Sequence, residues 1–151
     1  MPHADFRHRI PLRVRWAEVD AQGVVFNAHY LLYADICITE YWRAIGMRYP
    51  QAFLAAGFDV FARKATVEFH AAALYDDELE VCARIARMGR TSLNFALEIF
   101  RRGHIEASLA AIELVYVNVE AAARSPQPVP DELRRRIREF EIIAPAGPDA
   151  R

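Results

Sequence analysis

The sequence predicts an α+β fold in which one five-stranded antiparallel sheet wraps around one long central helix. Residues 28–45 carry apolar side chains at helical spacing around most of the helix, so this helix should be buried. The strand-like segments that follow are joined by hairpin-length connections, which excludes an alternating βαβα fold. A single sheet can bury such a helix on most sides only by curling around it.

The first strand is predicted over residues 9–16, where apolar and polar side chains alternate. Pro11 indicates a sheet edge or a bulge, because proline has no N–H to donate to a neighbouring strand. The alternation is typical of a half-buried strand, whose apolar face would carry Ile10, Leu12, Val14 and Trp16.

The long helix has a favourable N-cap in Asn27 and a favourable C′ residue in Gly46. The last strand becomes almost continuously apolar near Ile112, as expected for a bulge or for a central strand. The remaining predicted elements are a short helical turn over 49–57, strands over 60–69, 79–87, 92–100 and 105–119, and a closing helix over 128–140.

Length and composition indicate one domain over residues 1–151, with a core over about 8–140 and a C-terminal tail over 141–151. Hydrophobic residues make up 54% and the formal net charge is −1, so a local basic patch must hold any anionic ligand and no nucleic-acid partner is expected. No apolar run approaches the ~20 residues that span a bilayer. The polar N-terminus and the two distant cysteines, Cys37 and Cys82, favour a cytoplasmic protein without membrane insertion.

The segment DAQGVVFNAHY, residues 20–30, lies between the first strand and the long helix. It resembles the signature Asp-x-x-Gly-(Val/Ile)-Val-(aromatic)-x-x-x-Tyr of the 4-hydroxybenzoyl-CoA thioesterase-like family of hotdog-fold acyl-CoA thioesterases. Three later segments are similar to that family: YDDELEV (75–81), RMGRTSLNF (87–95) and VPDELRRRI (129–137). The resemblance covers residues 8–140, and the signature positions are filled by Asp20, Gly23, Val24, Val25, Phe26 and Tyr30.

This resemblance implies a hotdog fold, a homodimer with a continuous sheet that often pairs into a homotetramer, and an active site between subunits. It implies an acyl-CoA or aryl-CoA substrate and no separate cofactor, since coenzyme A is part of the substrate. Thioester hydrolysis needs a nucleophile or an activated water, donors for the oxyanion, and contacts that hold the acyl carrier.

Asp20 is the candidate nucleophile or general base, and the sequence leaves both roles open. Backbone N–H groups at the helix start near Asn27 are the candidate oxyanion donors, and Gly23 would let the loop turn tightly and approach the substrate. The candidate substrate-binding residues are Phe26 and Tyr30 near the acyl group, Arg87, Arg90, Thr91 and Ser92 at a basic turn that would hold the nucleotide, and Arg63 and Lys64 on the preceding strand.

Other interpretations remain open at this point. A non-catalytic acyl-CoA-binding protein would keep the basic turn without needing Asp20, and a hydroxyacyl thioester dehydratase would typically have a histidine base near the helix start. Asp35, on the apolar helix, is an alternative carboxylate. The run at 134–138 is expected to be a charged helix face and nothing else. Five histidines without ligand spacing predict no metal site.

Overall fold

The computed structural model describes residues 1–147, which contain a five-stranded sheet and three α-helices. The sheet is antiparallel throughout, with the strand order β1-β3-β4-β5-β2. The strands are β1 (His8–Arg13), β2 (Phe58–Phe69), β3 (Glu78–Met88), β4 (Ser92–Arg101) and β5 (His104–Glu120), and the helices are α1 (His29–Ala44), α2 (Gln51–Ala55) and α3 (Asp131–Phe140).

Two sequence features agree with this strand order. Pro11 lies in β1, which is an edge strand, and an edge strand tolerates a residue that has no N–H to donate. Ile112 pairs with Leu97 of β4 and with Val67 of β2, so β5 is a central strand; the register with β4 also shifts at Leu109, so an irregularity accompanies the start of the apolar run.

Helix α1 packs against one face of the sheet and forms most of the core with it. Tyr41 and Trp42 each meet the ring of Phe95 edge-on, with ring centroids 5.2 and 5.3 Å apart. All three side chains are buried. Burying a large apolar side chain contributes roughly 1.5–3 kcal/mol, so these contacts between helix and sheet stabilise the arrangement that positions the start of α1.

Two predicted element boundaries are wrong at the segment that precedes α1. Strand β1 ends at Arg13, and Trp16 begins a 3₁₀ turn with its side chain 75% exposed instead of lying on the strand. Helix α1 begins at His29 with Ala28 at its N-cap and no side-chain cap, so Asn27 is not the cap. In both places hydrogen bonds of the connecting loop override a local sequence preference.

The segment that follows α3 lies along β3 beyond the end of β1. The buried carboxylate of Glu141 accepts hydrogen bonds from the Tyr41 hydroxyl at 2.6 Å and the Ile85 N–H at 2.7 Å. Ala146 donates its N–H to the carbonyl of Ala86 and accepts from the N–H of Met88. Of the predicted tail, residues 148–151 lie outside the described residues. Within residues 1–147, no helix combines the length and apolar character needed to cross a membrane.

Candidate active site

The loop between β1 and α1 holds Asp20 at the base of a tight turn. The Asp20 N–H donates to the Val24 carbonyl at 2.9 Å, and the Gly23 N–H donates to the Asp20 carbonyl at 3.0 Å. Gly23 has φ +79°, a backbone conformation that glycine adopts without strain, so the turn needs a glycine there as expected. The Gln22 N–H donates to Oδ1 of Asp20 at 2.8 Å and thereby orients the carboxylate.

Asp20 and the start of α1 line one cleft, of about 350 Å³. Its opposite wall is the end of β2 and the residues that follow that strand. Of the predicted site residues, the structure brings Asp20, Asn27 and Tyr30 together in this cleft. The lining residues are Asp20, Gln22, Val24, Val25, Asn27, Tyr30, Phe69, His70, Ala71 and Ala72.

Tyr30 forms a wall of the cleft and connects the start of α1 to the opposite side. Its side chain is buried, and its hydroxyl accepts a hydrogen bond from the Ala73 N–H at 3.1 Å. The ring of Phe69 meets it edge-on at 5.1 Å. The hydroxyl still has a proton to donate, because its bond to Ala73 uses only an acceptor position.

The donors at the start of α1 are fewer than the sequence predicts. The N–H groups of His29 and Tyr30 already donate to the carbonyls of Phe26 and Asn27, at 2.9 and 3.3 Å. Within residues 1–147, the N–H groups of Asn27 and Ala28 have no such partner and lie at the positive end of the helix dipole. These two groups are therefore the candidate oxyanion donors.

A buried carboxylate, Glu18, supports the loop from behind. It accepts hydrogen bonds from the backbone and side chain of Arg15 and from the Tyr33 hydroxyl, while its own carbonyl accepts from the Phe26 N–H at 2.9 Å. Burial raises the pKa of Glu18, but the bonds from Tyr33 and Arg15 outweigh burial and hold the pKa below its ordinary value. Glu18 thus joins both ends of the Asp20 loop to α1.

The basic turn lies at the other end of the sheet within the same chain. Strand β3 leads from the cleft end at Leu79 to Met88, a distance of roughly 30 Å at the usual rise per residue of a strand. At that far end, Arg87 and Arg90 are exposed, and Thr91 and Ser92 are half-buried. One chain therefore does not bring these four residues to its own cleft.

One residue of the predicted charged face has a different position. Arg134 is buried and donates to the carbonyls of Val129 at 3.2 Å and Arg90 at 3.1 Å, as well as to the carbonyl of Gly89. The prediction that residues 134–138 form only a solvated face is wrong for Arg134. Its guanidinium fixes the backbone of the basic turn against the start of α3, which leaves the Arg90 side chain exposed.

The other predicted substrate-binding residues lie outside the cleft. Lys64, midway along the edge strand β2, pairs with Glu113 of β5 at 2.9 Å, and the exposed Arg63 lies at the β-bulge beside it. Phe26 is 46% exposed, with its ring 6.3 Å from that of His29. The alternative carboxylate, Asp35, is exposed on α1 and does not line the cleft.

Comparison with known proteins identifies the family. The model of the thioesterase superfamily matches residues 22–108. The acyl-CoA thioester hydrolase YbgC of Escherichia coli is 33% identical over 125 residues, which are 83% of this chain and 91% of that protein. The crystal structure of the PA5185 protein from Pseudomonas aeruginosa is 26% identical with a TM-score of 0.81, covering 93% of this chain and 96% of its own.

A second solved structure, Slr0204, a 1,4-dihydroxy-2-naphthoyl-CoA thioesterase from Synechocystis, is 21% identical with a TM-score of 0.77 and covers 86% of this chain and 94% of its own. At that identity the likeness shows the fold, which confirms the predicted hotdog arrangement. The chain therefore belongs to the thioesterase superfamily and is a hotdog-fold thioester hydrolase.

Proposed function

We propose that this protein is an acyl-CoA thioesterase that hydrolyses an acyl- or aryl-CoA to the free acid and coenzyme A. The observation that carries the proposal is the placement of the Asp20 carboxylate and the start of α1 in one cleft. The printed name of the Escherichia coli relative supports coenzyme A as the acyl carrier. The predominantly apolar side chains around Asp20 suit an acyl group.

In the general-base route, Asp20 takes a proton from water as the water oxygen bonds to the thioester carbon. In the nucleophilic route, an Asp20 oxygen bonds to that carbon, and water later hydrolyses the mixed anhydride. In either route the carbonyl oxygen gains negative charge, which the N–H groups of Asn27 and Ala28 stabilise. The C–S bond then breaks, and sulfur leaves with the electron pair as the coenzyme A thiolate.

The coenzyme A contacts require a second copy of the chain. Strand β2 is an edge strand of 12 residues whose outer hydrogen-bonding groups face no other strand among residues 1–147. If two copies pair antiparallel along β2, the Phe58 end of one strand lies beside the Phe69 end of the other. That pairing brings the partner subunit's turn over residues 87–92 to the same end of the joint sheet as the cleft.

In this homodimer, Arg87 and Arg90 of the partner subunit bind the coenzyme A phosphates, and Thr91 and Ser92 of the partner subunit add hydroxyl donors. Subunit mixing tests the arrangement. At acyl-CoA concentrations well below KM, Asp20→Asn and Arg90→Ala chains are each impaired alone and should regain activity when unfolded and refolded together, because about a quarter of the sites then carry both native residues. Mixed protein no more active than the average of the two variants would contradict a site built from two subunits.

A panel of short-chain, long-chain and aryl acyl-CoAs tests the function itself, with free thiol followed as the product. We expect thiol release from at least one member and the free acid as co-product. Tight acyl-CoA binding without thiol release from any member would support the non-catalytic binding protein instead. Reversible loss of water from a hydroxyacyl-CoA, with the thioester intact, would identify a dehydratase.

A further inference from the structure

Three potential metal ligands converge on the face of the sheet opposite α1, which we call the outer face. Alternate residues of β3, including Val81 and Ala83, pack against α1, so Glu80 and Cys82 project from the outer face. His3 reaches the same place from a 3₁₀ turn over His3–Asp5. Its Nε2, a Glu80 carboxylate oxygen and the Cys82 Sγ all lie within 4.8 Å of one another.

A further carboxylate lies on the neighbouring strand β4, outside the group of atoms that are within 4.8 Å of one another. Glu98 of β4 is the direct register partner of Cys82, and its side chain is 94% buried. One of its carboxylate oxygens accepts from the N-terminal ammonium group, while Oε2 has no hydrogen-bond partner among residues 1–147. A buried carboxylate oxygen without a partner is costly, and a cation would remove that cost.

The charges around the thiol suit a cation. The Glu80 and Glu98 carboxylates lie on the same strand and on the paired strand, and Arg9 is the opposing charge. A bound divalent ion favours the thiolate over the thiol. The proton of Cys82 then passes to solvent as the metal–sulfur bond forms.

We propose that His3, Glu80 and Cys82, with Glu98 as the fourth ligand, form a Zn²⁺ site that fastens the N-terminal segment to the outer face. An imidazole nitrogen, carboxylate oxygens and a thiolate sulfur suit Zn²⁺, whereas Mg²⁺ and Ca²⁺ prefer oxygen alone. Ligand atoms that share one Zn²⁺ lie roughly 3–4 Å apart, so His3, Glu80 and Cys82 need only small side-chain movements to close around the ion, and the Glu98 carboxylate has to turn toward them.

The site is structural and separate from catalysis. The cleft lies on the α1 side of the sheet, while this cluster lies beside Phe6 and Phe100 in the small core of the outer face. The ring of His3 rests edge-on against Phe100 at 5.2 Å, which orients the imidazole. The alternative is that His3 and Glu80 form an ion pair and nothing more.

Titration of untagged, chelator-treated protein with Co²⁺ distinguishes a metal site from an ion pair between His3 and Glu80. A cobalt–thiolate bond gives a charge-transfer absorption that an ion pair lacks. We expect that absorption to saturate at one Co²⁺ per chain and to disappear when Zn²⁺ is added. His3→Gln should weaken Co²⁺ binding at least about tenfold, and Cys82→Ser should abolish the absorption.

Cys37→Ser is the matched control, because Cys37 is equally buried but packs on the α1 side. It should keep the absorption, and Zn²⁺ should raise the melting temperature of the wild type but not that of His3→Gln. His3 lies in the N-terminal 3₁₀ turn, on the face of the sheet opposite the cleft, so His3→Gln should leave thiol release intact. A wild type without the absorption, or an absorption that survives in Cys82→Ser, would overturn the proposal.

Discussion

Removing the Tyr33 hydroxyl tests whether Glu18 holds the Asp20 loop. Tyr33 is buried, so Tyr33→Phe keeps the ring in the core and deletes one of the three donors to the buried Glu18 carboxylate. Hydrogen bonds to charged groups contribute about 1.5–3 kcal/mol. Because Arg15 still supplies two donors, we expect a loss near the lower end, about 1.5–2 kcal/mol in the free energy of unfolding.

A loss of that size lowers the melting temperature of a chain this long by roughly 3–8 °C. Urea denaturation at fixed protein concentration measures the free energy, and thiol release measures function. We expect kcat to fall about tenfold with a smaller change in KM, because a displaced loop misplaces Asp20. The exposed Tyr75 provides the control, with Tyr75→Phe staying within about 0.5 kcal/mol of the wild type. A Tyr33→Phe protein as stable and active as the control would refute the role given to Glu18.

Three further predictions concern the core, the C-terminal segment and the basic turn. Phe95→Ala, which removes a buried ring that contacts Tyr41 and Trp42, should cost about 3–5 kcal/mol by urea denaturation, whereas Leu54→Ala, at an exposed side chain of α2, should cost far less. Burial raises the pKa of Glu141, despite the hydrogen bonds from Tyr41 and Ile85 and the charge of Arg84. Its contribution to the free energy of unfolding is therefore complete below about pH 4, where the carboxyl group is protonated in both states, and is lost as the pH rises through the raised pKa of the folded protein. Glu141→Gln should flatten that loss in denaturation curves taken across the pH range, and an unchanged slope would contradict the assignment. Arg90→Ala should raise KM for the acyl-CoA several-fold with little change in kcat, while Arg43→Ala, at an exposed arginine paired with Glu40, should change neither; an unchanged KM would remove Arg90 from the coenzyme site.

The parts of the fold that local periodicity controls could be predicted from the sequence. The helical spacing of residues 28–45 and the alternation in the strands each arise from burial of one face, so α1 and the antiparallel sheet follow from the pattern. The loop motif likewise placed Asp20 and Tyr30 in one cleft, because both lie close in sequence to the start of the helix.

The rest depends on contacts between residues that are distant in the chain. Asn27 has a good N-cap side chain, but the loop's own hydrogen bonds start the helix at His29. Arg134 sits in a charged run, yet it is buried because α3 packs on the basic turn. The convergence of His3 with Cys82 follows from how the N-terminal turn crosses the outer face, which residue spacing cannot reveal.

The direct test of the account is the turnover of Asp20→Asn beside that of Asp35→Asn. Both substitutions neutralise one carboxylate, but only Asp20 lines the cleft. With circular dichroism confirming that both variants fold, we expect thiol release by Asp20→Asn to fall by at least about a hundredfold in kcat, the usual lower range for a general base, and Asp35→Asn to match the wild type. An Asp20→Asn protein within about twofold of wild-type kcat would contradict the assignment of the chemistry to Asp20.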